Sequence, residues 1–592
     1  MSQLKRRRRR RRPGLRFYVL LLLLLAAVVL GFLLFRDQIA PNDDNPITSG
    51  RPNQPGTTEG PTPVPTPTPV PAFSPTSISE DTSPQAFGLT TGLSVDGEQV
   101  DSYTRPDPID FLEGVNYTKL EGIIGFRGNN FRSSAFYGVA KLSEKKFDTE
   151  PWTVKTGSLP KRTGEGSWTG SGWTGQPLIV KWPDATKQIM NMYDSAKNKE
   201  GLVEVIYATM DGHIYFLDLD TGEKTRDPIN VGFPFKGAGA LDPRGIPLMY
   251  VGAGDHTSTG GGQYARSFIV NLVTGKVDYT FGNSDDFALR EGHISFFDSS
   301  ALVDAETDTL IYPGENGVLY TMKLNTKYDE SAGTLSIGPS EVVRWHYKTE
   351  RSSTGSSSPY WLGIEDSAVV WRGCAIFTDN GGNMFCLDLN TYEVKWMQDT
   401  LDDTNCTPVL SLEGADHHPY IYTSTSFHGG WRAPVSSTAT IPIWKIDAVT
   451  GEIVWKVEYD CRTVADVSGG VQGTLALGEQ GLADLIFVPI ARHPNTNDGV
   501  LVAIDKNTHE ERWSFPMENY PWSSPVAIYD ASGKGYIIQC NQAGDMFLLD
   551  GLTGVLLDTI NLGGNIEASP AVYNNTIVVG TRLNEIYGIT LE

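Results

Sequence analysis

Eight positions recur at one place in a repeating sequence: Thr174, Gly237, Asp298, Glu365, Asn405, Val471, Trp522 and Glu567. Each stands two residues ahead of a residue that opens a short apolar run, in order Gln176, Gly239, Ser300, Ser367, Thr407, Gly473, Ser524 and Ser569. Three carboxyl side chains, an amide and an indole at one repeat position offer two kinds of chemistry. Carboxylate and amide oxygens are the donors that a hard cation such as Ca²⁺ takes, and a tryptophan beside them can hold a flat ligand. The competing reading, which we favour, is that these groups cap strand ends and hydrate a narrow channel.

Other chemistries find no support. There is no Gly-x-Ser-x-Gly, no His-Glu-x-x-His and no phosphate loop, and the nine histidines are scattered. Cys374, Cys386, Cys406, Cys461 and Cys540 form no Cys-x-x-Cys and no adjacent pair, which argues against zinc. Cys374 and Cys386 flank one hairpin, either as a disulfide or as two buried thiols. No metal-ligand set is assigned and no residue is named as catalytic.

The elements that must position these residues centre on Gly212-His-Ile-Tyr-Phe-Leu-Asp-Leu-Asp-Thr-Gly-Glu223. Its apolar alternation is that of a strand, and Asp218 with Gly222 suits a tight turn. The turn recurs at Asn271, Leu324, Asp388, Asp447, Asp505 and Asp550, a spacing that signals propeller blades. Five residues after the turn threonine stands Tyr279, Trp396, Trp455 or Trp513, and Trp345 holds that place after an insertion. A large ring on each outer strand is expected to pack on the neighbouring blade. Arg226 and Asp558 depart from this pattern. The last repeat ends after three strands, and residues 151–157 carry the look of its missing fourth. A strand from the other terminus would close the ring and remove both free edges. The expectation is an all-β, eight-bladed β-propeller over residues 151–592, with seven blades as the alternative if the irregular second blade is misread.

The chain has 592 residues, 20% of them charged and 40% hydrophobic, a globular balance with many glycine turns. Residues 1–36 hold ten of the 48 basic residues and no acid, which leaves 38 basic against 70 acidic side chains in the rest, a net of −32. Such a body repels nucleic acid, and a nucleic-acid role is rejected. Residues 1–16 read as a basic cytoplasmic tail. Residues 17–35 are a continuous apolar run long enough to span a bilayer as an uncleaved signal-anchor, with a long cleaved signal peptide as the alternative. The positive-inside rule then places the body outside the cell. Residues 36–102 read as a disordered Pro/Thr-rich linker, able to reach on the order of 200 Å at about 3.1 Å per residue. Residues 103–150 form a pre-propeller segment.

That segment contains Gly125-Phe-Arg-Gly-Asn-Asn-Phe-Arg132. Followed by repeats ending Asp-x-x-Thr-Gly…Trp, it resembles the PQQ-like (quinoprotein-type) β-propeller repeat family over roughly residues 121–592. The resemblance is specific for fold and not for function, because the family includes quinone-dependent alcohol dehydrogenases and non-catalytic envelope proteins. In the dehydrogenases a Glu and an Asn hold the metal, an Asp is the base and a Trp is the platform. Glu365, Asn405, Asp298 and Trp522 match in type, but the adjacent Cys–Cys disulfide over the cofactor has no counterpart here. The expectation is therefore no cofactor, with Ca²⁺ as an open alternative and pyrroloquinoline quinone (PQQ) disfavoured.

Three function classes follow: a membrane-anchored, single-pass extracellular module that binds an envelope protein, peptide or glycan; a PQQ/Ca-dependent dehydrogenase; and an architectural spacer. The first leads. Its binding face is expected on the side of the long loops 162–175, 254–266, 425–437 and 491–498, with Trp168, Trp173, His256, Tyr264, His428, Trp431, Arg432 and His493 as candidates. The alternative is that the tryptophans fold back over the channel.

Overall fold

A computed structural model describes residues 73–162, 164–172, 175–257, 264–282, 296–353, 363–428, 437–464 and 468–592. The basic tail, the apolar run 17–35 and most of the linker lie outside them. Among the described residues no helix is long and apolar enough to cross a membrane.

Period-two alternation and glycine turns build antiparallel sheets, and eight of these form the blades of a propeller. Blade 1 runs through Leu178–Lys181, Glu204–Ala208, His213–Asp218 and Ile229–Asn230. The second blade, irregular in sequence, is complete in space: Ala240–Leu241, Leu248–Gly252, Ser267–Asn271 and Lys276–Phe281. Blades 3 to 7 start at Leu302–Asp304, Val369–Trp371, Val409–Glu413, Ala476–Leu477 and Val526–Tyr529. Blade 8 has Ala571–Tyr573, Thr576–Thr581 and Glu585–Thr590, and its outer strand is Trp152–Lys155. There Glu585 pairs with Lys155 and Gly588 with Trp152. The blade count is eight, and the closing strand is the expected one.

Outer-strand tryptophans stitch blade to blade. Each donates its indole N–H to the carbonyl that follows the first turn residue of the next blade. Trp396 reaches Ala448 (2.9 Å), Trp455 Lys506 (3.2 Å), Trp513 Gly551 (3.1 Å) and, across the closure, Trp152 Leu219 (2.8 Å). The ring covers the turn glycine, where a Cβ on Gly222 would press into Trp152. Blade 1 lacks the ring but keeps the contact. Arg226 donates to the equivalent carbonyl, Leu272 (3.3 Å), and pairs with buried Glu204 at 2.7 Å.

Residues 73–102 do more than link. Thr90–Val95 pairs with Ser340–Lys348 and, with Glu98–Val100, widens blade 3 to six strands. Residues 121–137 close one end of the channel. Glu121–Ile123 pairs with the inner strand of blade 1, and Phe136–Tyr137 runs parallel to that of blade 8. The loop between them buries two arginines, each 1% exposed. Arg127 donates to the carbonyls of Pro525 (2.7 Å) and Leu475 (3.3 Å). Arg132 donates to those of Ala368 (3.0 Å), Phe126 (3.1 Å) and Ser300 (2.8 Å). Burial lowers both guanidiniums to about 10, so they stay charged at neutral pH. Carbonyl acceptors offset their desolvation, and the loop pins blades 3, 4, 6 and 7 together.

Candidate functional site

A belt of hydrogen bonds runs around the channel from blade 3 to blade 8. The backbone N–H of Ser300 donates to the Ser367 hydroxyl (2.8 Å), Ser367 to Thr407 (3.0 Å), Thr407 to Thr474 (3.2 Å), Thr474 to Ser524 (3.0 Å) and Ser524 to Ser569 (3.2 Å). Small hydroxyl residues stand here because each must accept from its neighbour at close range. The belt corrects one register. Blade 6 contributes Thr474, not Gly473, so the side chain two residues ahead is Gln472. Val471 points the other way, into the apolar core. A one-residue shift in a strand exchanges its faces.

Ahead of the belt, on the side away from the arginine loop, lies the channel mouth. Asp298, Glu365 and Asn405 line one small cavity, floored by Phe126 and joined by Asp366 and Ala238. Asn405 Nδ2 donates to Gln472 Oε1 at 2.8 Å. Trp522 and Glu567 stand apart from this cavity. Trp522 packs beside Tyr520 (5.7 Å between ring centres), and Glu567 accepts from Asn565 (2.7 Å) and faces Arg582 (3.8 Å). Gly237 is small because a Cβ there would strike the backbone of Asp298. Thr174 lies outside the described residues.

Lys236, which the repeat alignment passed over, is the cation of the mouth. Its Nζ lies 3.8 Å from Asp298 Oδ2, 4.9 Å from the centre of Phe296 and 5.5 Å from that of Trp168. Burial alone would lower its pKa, but Asp298, Glu315, Glu365 and Asp255 together raise it. Burial pushes Asp298 up to about 7 against the pull of Lys236. Glu365 is raised well above its ordinary value by burial and by Glu315, Asp403 and Asp298. Asp298 and Glu365 thus share one ammonium in a water-poor place that favours their protonated forms.

The loop-side aromatics are tied down rather than free. Trp168, in a hairpin of Ser158–Pro160 and Ser167–Thr169, donates its indole N–H to Asp255 Oδ2 (2.9 Å), with Lys161 Nζ 4.3 Å from its ring centre. His256 is 4% exposed; its Nδ1 accepts from Ala265 (2.9 Å) and its ring packs on Tyr264 and Phe296. Arg162 lies 5.4 Å from the ring centre of Tyr264. His428 sits 3.2 Å from Asp402 and 3.5 Å from Asp403. His493 is on the outer rim, bonded to the Asp460 carbonyl (2.6 Å), and does not join the mouth. Trp173, Trp431 and Arg432 lie outside the described residues. The structure therefore gathers Trp168, His256 and Tyr264 around Lys236 and Asp255, two residues the loop composition did not single out. All five cysteines are buried free thiols, including Cys374 and Cys386.

No family model and no curated protein matches the sequence. Solved structures similar to this chain include BamB from Moraxella catarrhalis, at 15% identity over 65% of this chain and 93% of that one, TM-score 0.43. A europium-containing methanol dehydrogenase is similar at 12% identity over 81% and 99%, TM-score 0.39. The quinohemoprotein alcohol dehydrogenase ADHIIG from Pseudomonas putida HK5 is similar at 11% identity over 82% and 83%, TM-score 0.40.

Proposed function

We propose that the chain is a binding module of the cell envelope, tethered by residues 17–35 with the propeller outside the cell, and that it recognises its partner with the loop side of the propeller. The observation that carries this is the polarity of the channel. Buried arginines close the turn side, their guanidinium groups held by five backbone carbonyls. The loop side instead gathers Lys236, Asp255, Asp298, Glu365 and Trp168 where a ligand can reach the rim. The net charge of the body and the carboxyl-rich mouth favour a basic peptide or protein segment. The basic cluster before the apolar run supports the outward orientation.

The dehydrogenase reading fits the residues less well. Asp298 is engaged by Lys236 and Asn405 by Gln472, Trp522 does not line the cavity, and Phe126 fills its floor. Among the described residues no group of three acid, histidine or cysteine side chains could hold a metal ion. The test is capture from intact cells. Trp168→Ala combined with Glu165→Lys, which puts a cation where a basic partner must approach, should lower recovery of the partner at least tenfold while the melting temperature stays within a few degrees. Undiminished capture defeats the reading.

A further inference from the structure

We infer that the cleft between blades 3 and 4, on the outer rim, is a binding site for a neutral, hydroxyl-rich ligand of the saccharide class. It is separate from the channel mouth and independent of the function proposed there. The starting observation is a tryptophan that breaks the blade-to-blade rule. Trp345 occupies the outer-strand position of blade 3 and is 1% exposed, yet its indole Nε1 finds no acceptor in the protein. The carbonyl it should reach, by analogy with the other four blades, is that of Leu389. Arg105, from the N-terminal segment, occupies that carbonyl through Nε (3.4 Å) and also holds the hydroxyls of Thr321 (2.6 Å) and Tyr392 (2.5 Å). Tyr392, at φ 60°, stands where the equivalent turns of blades 5 and 7 have glycine and that of blade 6 has His509, so the occupied carbonyl is what sets Trp345 apart from Trp455.

Trp345 lines a cleft of about 1060 Å³, roofed by residues of the N-terminal hairpin. A second orphan shares its wall. The Thr391 hydroxyl is buried without a partner, whereas the equivalent Thr553 hydroxyl in blade 7 bonds Asp550 at 2.9 Å. A buried unpaired donor forfeits the hydrogen bond it made to water, and such an atom in a folded protein calls for an explanation. The rim supplies Gln85, Gln99, Asp101 and Glu393, which are amides and carboxylates. No lysine or arginine lines the cleft, and His346 is held below its ordinary pKa by burial and by Lys348, hence neutral at pH 7. The carboxylates Asp101 and Glu393 face an anionic ligand directly, and the nearby Lys395 is taken up by Glu393 (2.9 Å) and by Asp388 (3.3 Å). Hydroxyl groups, each both donor and acceptor, match the two amides and two carboxylates of the rim, and one that presses into the wall meets the indole N–H and the threonine hydroxyl behind it.

The full chain in lipid nanodiscs, free of sugar detergents, should be titrated calorimetrically with chitotetraose, cellotetraose and maltotetraose, and with tetragalacturonate as the anionic control. At least one neutral tetrasaccharide should saturate the protein with a Kd of about 1 mM or tighter. Glu393→Ala and Thr391→Val should each weaken that binding tenfold with unchanged melting, and Trp345→Phe should do the same. If Trp345→Phe fails to fold, Glu393→Ala and Gln99→Ala carry the test. Saturation by none of the three sugars would mean that water alone fills the cleft, and would overturn the inference. So would binding that survives the variants, or equally tight binding of tetragalacturonate.

Discussion

Trp152 donates its indole N–H to the carbonyl of Leu219 at 2.8 Å, so that a residue of the last blade's borrowed strand caps the turn of the first blade. The same side chain lies beside Gly588, and its strand covers the edge of Glu585–Thr590. Trp152 is half-buried, so Trp152→Ala should cost about 2–4 kcal/mol, below the roughly 3–5 of a fully buried Trp truncation. Deleting residues 151–157 should uncover that edge and drive aggregation. Equilibrium unfolding and light scattering check both; a monomeric deletion with unchanged melting would contradict the closure.

Arg226 and Glu204 form a buried pair at the place where other blades use tryptophan. Removing one partner strands the other. Arg226→Met should destabilise by about 3–5 kcal/mol, and adding Glu204→Gln should recover part of that loss. A double-mutant cycle by chemical denaturation measures the coupling; additive losses would show that the pair does not act as a unit.

Asp298 gives the mouth a pH signature. Its folded pKa is raised from 3.8 to about 7, so the folded protein holds a proton that the unfolded chain has released. Between those values stability falls as pH rises, and above about pH 7 the loss is complete. Asp298→Asn mimics the protonated form. It should be more stable than the parent by on the order of 3 kcal/mol above pH 7, with the gain shrinking toward pH 4. Melting temperatures across this range check it; a gain that does not change with pH would contradict the buried, protonated carboxyl.

Five buried thiols should be silent toward a thiol reagent in the native protein and should all react after denaturation without reductant. Three reactive thiols, in place of five, would reveal a disulfide.

Much of the fold was legible because its signals are local and repeated. The Asp–Thr–Gly turns and the tryptophan offset carry the blade spacing, and the three-stranded last repeat made the borrowed strand at Trp152 necessary. The second blade, irregular in sequence, has all four strands in space, with Ala240–Leu241 as its short inner strand. Blade 6 was misregistered for a different reason: Gly473 resembles the small residue of other blades, but only a hydroxyl at Thr474 can accept the belt hydrogen bond from Thr407. Lys236 and Gln472 were missed because no composition rule marks a single residue whose partners lie roughly 60 positions away in sequence. Arg105 was missed because it lies on the N-terminal segment, far outside the repeats whose carbonyl it takes. The candidate site divided accordingly. Asp298, Glu365 and Asn405 converge because neighbouring blades place them side by side, whereas Trp522 and Glu567 sit on blades 7 and 8, away from that cavity.

Photo-crosslinking on intact cells tests the central claim most directly. A benzophenone side chain placed at Glu165, exposed on the loop side, should give a discrete adduct with a partner, and one at Leu552, 59% exposed on the turn side, should give none. Adducts from Leu552 alone, or equally from both positions, would contradict the assignment of the loop side as the recognition surface.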